Sequence, residues 1–256
     1  MVSRVTHFKV YHAGFKSGGN ISLGCCMSLR YNAICFDLFH TLIDVGTVPS
    51  SVGAETAKVL EVDSLEWNKA CFGPLHDICE STDHQNVVQK LAHSIDHTIS
   101  MSKIQEATRS RQARFDYALS QVEDEIIDQL LNLRQNGIKT VLVSNASSGE
   151  VLAWKNSPLA ACFDEVLFSC ECGIAKPDPE IYQLALSRIG AQAEKTLFVG
   201  DGGSQEHEGA RAAGLSPVLM KRFTFDSLSD EELRLRAMFA DYEIHRLDDL
   251  HAIVRN

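Results

Sequence analysis

The chain has 256 residues, of which 45% are hydrophobic, and a formal charge of −10. That apolar content suits one large domain, or a core carrying a smaller insert. The acidic balance argues against nucleic acids and anionic membranes as partners, and no apolar run reaches the roughly 18 residues needed to cross a bilayer.

Residues 1–27 lack the continuous apolar segment of a signal peptide, and "SLGC" without one is no lipid-attachment box. They are expected to form a disordered extension ahead of a domain that starts naturally near Met27. The first core element is "AICFD" (33–37), a short, bounded apolar run that predicts a buried parallel strand. About 75 residues without a convincing strand follow, holding the helical stretches "SSVGAETAKVLEV", "QNVVQKLAHSIDHTI" and "SKIQEATRSRQARFDYAL". An insert of that size predicts a helical cap, assigned to 47–119, over a core made of 28–46 and 120–256.

Beyond the insert, Ser120 and Glu123 form a capping-box pattern ahead of Ile126, Ile127, Leu130 and Leu133, and Gly137 can end that helix. Strands are predicted at "IKTVLVS" (138–144) and "DEVLF" (164–168). Pro179 then opens the helix "PEIYQLALSRIG". "TLFVGD" (196–201), "SPVLM" (216–220) and the weaker "YEIH" (242–245) complete the strands, with a second capping box at Ser229 and Glu232. Strands alternating with helices predict an α/β fold. The sheet would be a Rossmann-like, doubly wound parallel one that binds ligands at the carboxyl ends of its strands. The eight cysteines follow no disulfide or metal framework and read as free thiols of a reduced, cytoplasmic protein.

Four segments fall at those carboxyl ends: Asp37 with Thr41, Ser144-Asn145, Lys176-Pro177, and Gly200-Asp201. Each is weak alone, since a strand-ending Asp is often a cap and Ser-Asn often a turn. Together, "FDLFHTL", "VLVSNA", "GIAKPDPEIY" and "LFVGDGGSQEHEGARAAGL" resemble the four motifs of the haloacid dehalogenase-like hydrolase superfamily. The resemblance runs from about residue 31 onward, and the helical insert resembles that family's C1-type cap.

The resemblance implies a nucleophilic Asp37 that forms a covalent aspartyl intermediate. Thr41, Ser144 and Asn145 would donate hydrogen bonds to a phosphoryl group, and Lys176 would neutralise the nucleophile and the transferring group. It also implies Mg2+ held by Asp37, the backbone carbonyl of Phe39 and Asp201, with Glu206 acting through a metal-bound water. Family members commonly carry Asp at the position of Glu206.

Phe39 departs from the pattern. Family phosphatases usually place there an aspartate that protonates the leaving group and activates the hydrolytic water, help worth about 10²- to 10⁴-fold. Three readings stay open: a Mg2+-dependent phosphatase suited to good leaving groups or using another acid–base such as His40; a 2-haloacid dehalogenase, whose halide leaves unprotonated; and a non-catalytic phosphate- or metal-binding module. Tyr182, six residues after Lys176, occurs at that spacing in both enzyme types. Arg111 and Arg114, three apart in "RSRQARF" beside Arg109, are candidate substrate anchors or else part of a solvated basic face. His76, His84, His93 and His97 show no metal-site pattern. The expected partner is a small anionic molecule, and the chain is expected to act as a monomer or homodimer.

Overall fold

The computed structural model describes residues 29–78, 83–223 and 228–255. The expected N-terminal extension, with Cys25 and Cys26, lies outside the described residues, as does Cys79. Six strands form one parallel sheet: β1 (Ala33–Phe36), β2 (Lys139–Ser144), β3 (Glu165–Phe168), β4 (Thr196–Gly200), β5 (Ser216–Met220) and β6 (Tyr242–Ile244). Their order is β3-β2-β1-β4-β5-β6, so each apolar run named above is a strand.

The runs are apolar because both faces of the sheet are covered. Along β1, Ile34 and Phe36 enter one core, while Ala33 and Cys35 enter the other. Leu142 and Val199 share the first core, and Val143 and Phe198 the second. The chain leaves β1 toward β2 on one side and returns to β4 on the other. The carboxyl end of β1 is therefore a topological switch point, where a crevice opens between diverging connections. Asp37 stands there, its N–H still donating to the carbonyl of Val199 at 2.9 Å.

Between β1 and β2 lie α1 (Thr56–Leu60), α2 (Ser64–Ala70), α3 (Pro74–Asp77), α4 (His84–Ile95), α5 (Met101–Ser120) and α6 (Asp124–Gln135). Helices α1, α2, α4 and α5 bury Leu60, Trp67, Leu91 and Ile104 against one another, a core separate from those of the sheet. Val48, and Ala118 and Leu119 at the end of α5, join the first core of the sheet instead. After β3 come α7 (Ser169–Cys172) and α8 (Pro179–Ile189), after β4 α9 (Glu206–Ala212), and after β5 α10 (Asp230–Ala237); α11 (Leu250–Ile253) follows β6. Helix α6 packs on the first face, while α8 and α9 cover the second. Among the described residues no helix is long and apolar enough to cross a membrane.

The capping box at Ser229 and Glu232 forms as expected. The one expected at Ser120 and Glu123 does not. Ser120 is the last residue of α5, and its hydroxyl turns back to the carbonyl of Tyr117 at 2.9 Å. A serine satisfied by its own helix has nothing left to offer the next one. Glu123 precedes α6 as its N-cap without a side-chain bond.

Candidate active site

The loop after β1 is tight. The N–H groups of Leu42 and Ile43 donate to the carbonyl of Leu38 at 2.9 and 3.1 Å, and that of His40 to Ile43 at 2.7 Å. This closure brings Thr41 back over the nucleophile position, where its hydroxyl donates to Asp37 Oδ2 at 2.9 Å. His40 takes a left-handed backbone, with φ of 59°.

Lys176 reaches the same carboxylate from the loop ahead of α8. Its Nζ lies 2.5 Å from Asp37 Oδ1 and 2.6 Å from Glu206 Oε2. Beneath it, the Phe198 ring centroid is 5.4 Å from Nζ, a face that also favours a cation. Burial pulls the lysine pKa down, yet Asp37 and Glu206 more than offset this and hold it above the ordinary value. Lys176 is thus a fixed cation. Burial and the neighbouring carboxylates of Asp37 and Asp201 push Glu206 up, to about 8, against the opposing pull of Lys176.

Asn145 grips Lys176 through its backbone. The side-chain amide donates to the Lys176 carbonyl at 2.8 Å, and its oxygen accepts from the Lys176 N–H at 2.8 Å. The amide expected to help hold a phosphoryl group is therefore engaged in positioning the lysine. Ser144 is fully buried at the end of β2, its hydroxyl 3.4 Å from the Asn145 carbonyl. Tyr182 is also buried and donates to the carbonyl of Glu206 at 2.8 Å, which makes it a brace beneath α9.

Asp37, Asp201 and Glu206 each offer a carboxylate oxygen within 4.8 Å of the others, and all three are buried. Three carboxylates held this close repel one another unless cations stand between them. The donor set is all oxygen and anionic, which fits a hard divalent cation such as Mg2+. Two side chains already supply part of the charge: Lys176 to Asp37 and Glu206, and Arg236 from α10 to Asp201. Glu206 Oε1 also accepts from the Gly202 N–H at 2.8 Å, and Asp201 Oδ1 from the Gly203 N–H at 3.0 Å.

Arg111 and Arg114 of α5 are neither a solvated face nor a pair of free anchors. Arg114 is buried, and its guanidinium donates to the backbone carbonyls of Val45, Val48 and Gly53 at 2.8 to 3.1 Å. Through these three bonds it staples the segment leading into the insert. Arg111 packs over the Phe115 and Trp67 rings, 4.7 and 5.7 Å from their centroids, and pairs with Glu150 of the loop after β2.

The sequence reading missed the rest of that seam. His76 of α3 holds Asp77 Oδ1 at 2.8 Å with Nδ1 and Glu150 Oε1 at 2.9 Å with Nε2. Both ring nitrogens face carboxylates. Burial lowers the His76 pKa, but Glu150 and Asp77 dominate and raise it to about 9. Burial raises Glu150, yet His76 and Arg111 prevail and bring it to about 2. Beside this cluster, Thr108, Arg111 and Phe115 of the insert and Ser147, Gly149 and Glu150 of the core line a cavity of about 10 Å³. Phe39 points the same way and packs on Phe115. His40, the candidate acid–base, holds Asp44 Oδ1 with Nδ1 at 3.0 Å, and this bond is the main cause of its raised pKa.

Comparison with known proteins agrees with this arrangement. A stretch of 133 residues is 28% identical to a glyceraldehyde 3-phosphate phosphatase of Methanocaldococcus jannaschii, covering 51% of this chain and 55% of that one. The chain thus spans about half the length of that relative. An (S)-2-haloacid dehalogenase of Pseudomonas sp. is 25% identical over 229 residues, 85% of this chain and 93% of its own. Among solved structures, the magnesium-bound hydrolase YfnB of Bacillus subtilis superposes with a TM-score of 0.60 at 20% identity, covering 88% of this chain and 99% of that one. The family model of the haloacid dehalogenase-like hydrolases matches residues 31–214. An aspartate at the switch point, a buried lysine between carboxylates and this match agree: the chain belongs to the haloacid dehalogenase-like hydrolase family.

Proposed function

We propose that the protein hydrolyses a small phosphorylated metabolite through a covalent intermediate on Asp37, with Mg2+ as cofactor. The observation that carries this reading is the buried cluster of Asp37, Asp201 and Glu206 bridged by Lys176. The relative from M. jannaschii, named as a glyceraldehyde 3-phosphate phosphatase, supports phosphoester chemistry.

In this reading an Asp37 carboxylate oxygen attacks phosphorus, the ester P–O bond breaks, and the leaving oxygen departs. Water then attacks the phosphorus and frees Asp37. Lys176 balances charge on the nucleophile and the transferring group, while Thr41 and Ser144 donate to phosphoryl oxygens. Asn145 keeps Lys176 in place. Mg2+, held by Asp37, Asp201 and the Phe39 backbone carbonyl with Glu206 behind, would supply further positive charge and orient the phosphoryl oxygens. The insert would be the cap that selects the substrate, with Arg111 facing the seam as one candidate contact.

Two observations favour dehalogenation as the second reading. Asp201 is already paired with Arg236, and Phe39 offers no proton to a leaving group, which a halide does not need. A screen of phosphate esters and 2-haloacids, with Mg2+ and with chelator, separates the two. Phosphate release that needs Mg2+ supports the first reading. Halide release in chelator replaces it with the second, and silence on both panels leaves a binding module.

A further inference from the structure

The three carboxylates of the cluster are not neutralised alike. Lys176 serves Asp37 and Glu206 from within the core. Asp201 instead takes its cation from outside the four motifs. Arg236 Nη1 donates to the Asp201 carbonyl at 3.0 Å and to its carboxylate Oδ2. The other carboxylate oxygen, Oδ1, accepts from Gly203.

The helix that delivers Arg236 is lightly held. No residue of α10 is buried, and Leu235 and Met238 on and beside it are 56% and 62% exposed. Its ties to the core are polar: His207 Nδ1 lies 3.2 Å from the Arg236 carbonyl, and Arg211 donates to the Phe239 carbonyl at 2.9 Å. Gly202 makes the close seating feasible, because a Cβ there would come within 2.9 Å of the Arg236 Cβ. The seat is shaped for the arginine, yet little apolar surface holds the helix on it.

Both Asp201 carboxylate oxygens are engaged, Oδ1 by the Gly203 N–H and Oδ2 by the guanidinium, so a divalent cation ligated by Asp201 meets the Arg236 charge on the same carboxylate. Two cations on one carboxylate repel each other strongly in a buried setting. We propose that Arg236 is a tethered counter-cation that competes with divalent metal for Asp201, so that metal loading and withdrawal of the Arg236 side chain are one coupled event. The proposal rests on the metal-dependent reading above. It gives Asp201 a charge-paired resting state without metal, and it sets the metal affinity from a helix that carries none of the motif residues.

Isothermal titration of the full chain with MgCl2 alone tests this without any substrate. Arg236→Met keeps length and removes charge, and its Mg2+ affinity is expected to rise at least about tenfold over wild type. Arg236→Lys, still cationic, should stay closer to wild type, and Asp201→Asn should abolish the binding heat. Thermal melting gives an independent readout. In chelator Arg236→Met should melt below wild type, and Mg2+ should raise its melting temperature by more than it raises that of wild type. Equal or weaker Mg2+ binding by Arg236→Met than by wild type overturns the competition while leaving the metal-dependent reading intact. Absence of Mg2+ binding in both chains overturns the two together.

Discussion

Phe39 meets Phe115 edge to face, with ring centroids 5.4 Å apart and planes 88° from parallel. The residue two beyond Asp37 therefore serves as a contact between the loop after β1 and α5. Such pairs contribute about 0.5–1.5 kcal/mol beyond the area they bury. Under the proposed phosphatase reading, an apolar clasp stands where the resemblance implies an acid–base carboxylate. If no other group supplies the proton, rates should climb steeply as the leaving group's pKa falls, with aryl and acyl phosphates far ahead of sugar phosphates. Phe39→Asp should flatten that dependence and speed alkyl phosphates by at most about 10²- to 10⁴-fold, at some cost in cap docking. Equal wild-type rates on alkyl and aryl phosphates, with chemistry rate-limiting, would refute this, and His40→Ala would be the next variant to make.

Asp201→Asn should abolish activity with little loss of fold. The substitution keeps size while removing one of the clustered carboxylates and the partner of Arg236. Circular dichroism and melting check the fold. Full activity of wild type in excess chelator would remove the case for a metal at this site.

Asn145→Ala should slow turnover by about 10²-fold, since small misplacement of a charge-stabilising group has that cost. Both of its hydrogen bonds go to the backbone of Lys176, so the loss should fall on kcat more than on KM. An unchanged kcat would show that the lysine holds its place unaided.

The seam between cap and core should weaken in alkali. His76 has a folded pKa of about 9, above its usual 6.5, so its contribution is complete below pH 6.5 and is lost as pH rises through 9. Glu150 works in the opposite direction, contributing above pH 4.5 and losing its contribution as pH falls through about 2. The seam is thus strongest between pH 4.5 and 6.5. Cys71, pushed up to about 11 chiefly by burial, stays silent across the alkaline window. The upper bound on the His76 contribution is about 3 kcal/mol. Melting of wild type should fall by several degrees from pH 6.5 to 9, and His76→Gln should flatten that slope. A wild-type melting temperature constant over this range would exclude the charged histidine.

The strands were legible because both faces of the sheet are covered, so each strand is a bounded apolar run such as "TLFVG". Four of the six helices between β1 and β2 fell within helical stretches that could be read. Helix α2 was not seen, since Trp67 is its one buried residue and leaves no apolar period to follow. The four motif segments converge because strand ends in a parallel sheet share one edge. Arg114 misled for a physical reason. Spacing places two arginines on one face, but it does not say whether that face meets solvent, rings or backbone carbonyls. Arg236, His76 and Glu150 left no signal, because the pairings Arg236–Asp201, His76–Glu150 and Arg111–Glu150 each join residues at least 35 apart in sequence.

Gly200 and Glu206 are bound to each other by a missing carbon. A Cβ at 200 would run into the Glu206 carboxylate, which folds back to reach the Gly202 N–H and Lys176. The two positions are consequently one heritable trait. Any side chain at 200 evicts the glutamate, while a shorter acid at 206 vacates the disputed space. Shortening the acid is only the first step away from this pair, because the Phe198 ring, with Cε1 3.0 Å from the same Cβ, must give way as well before the glycine can be replaced.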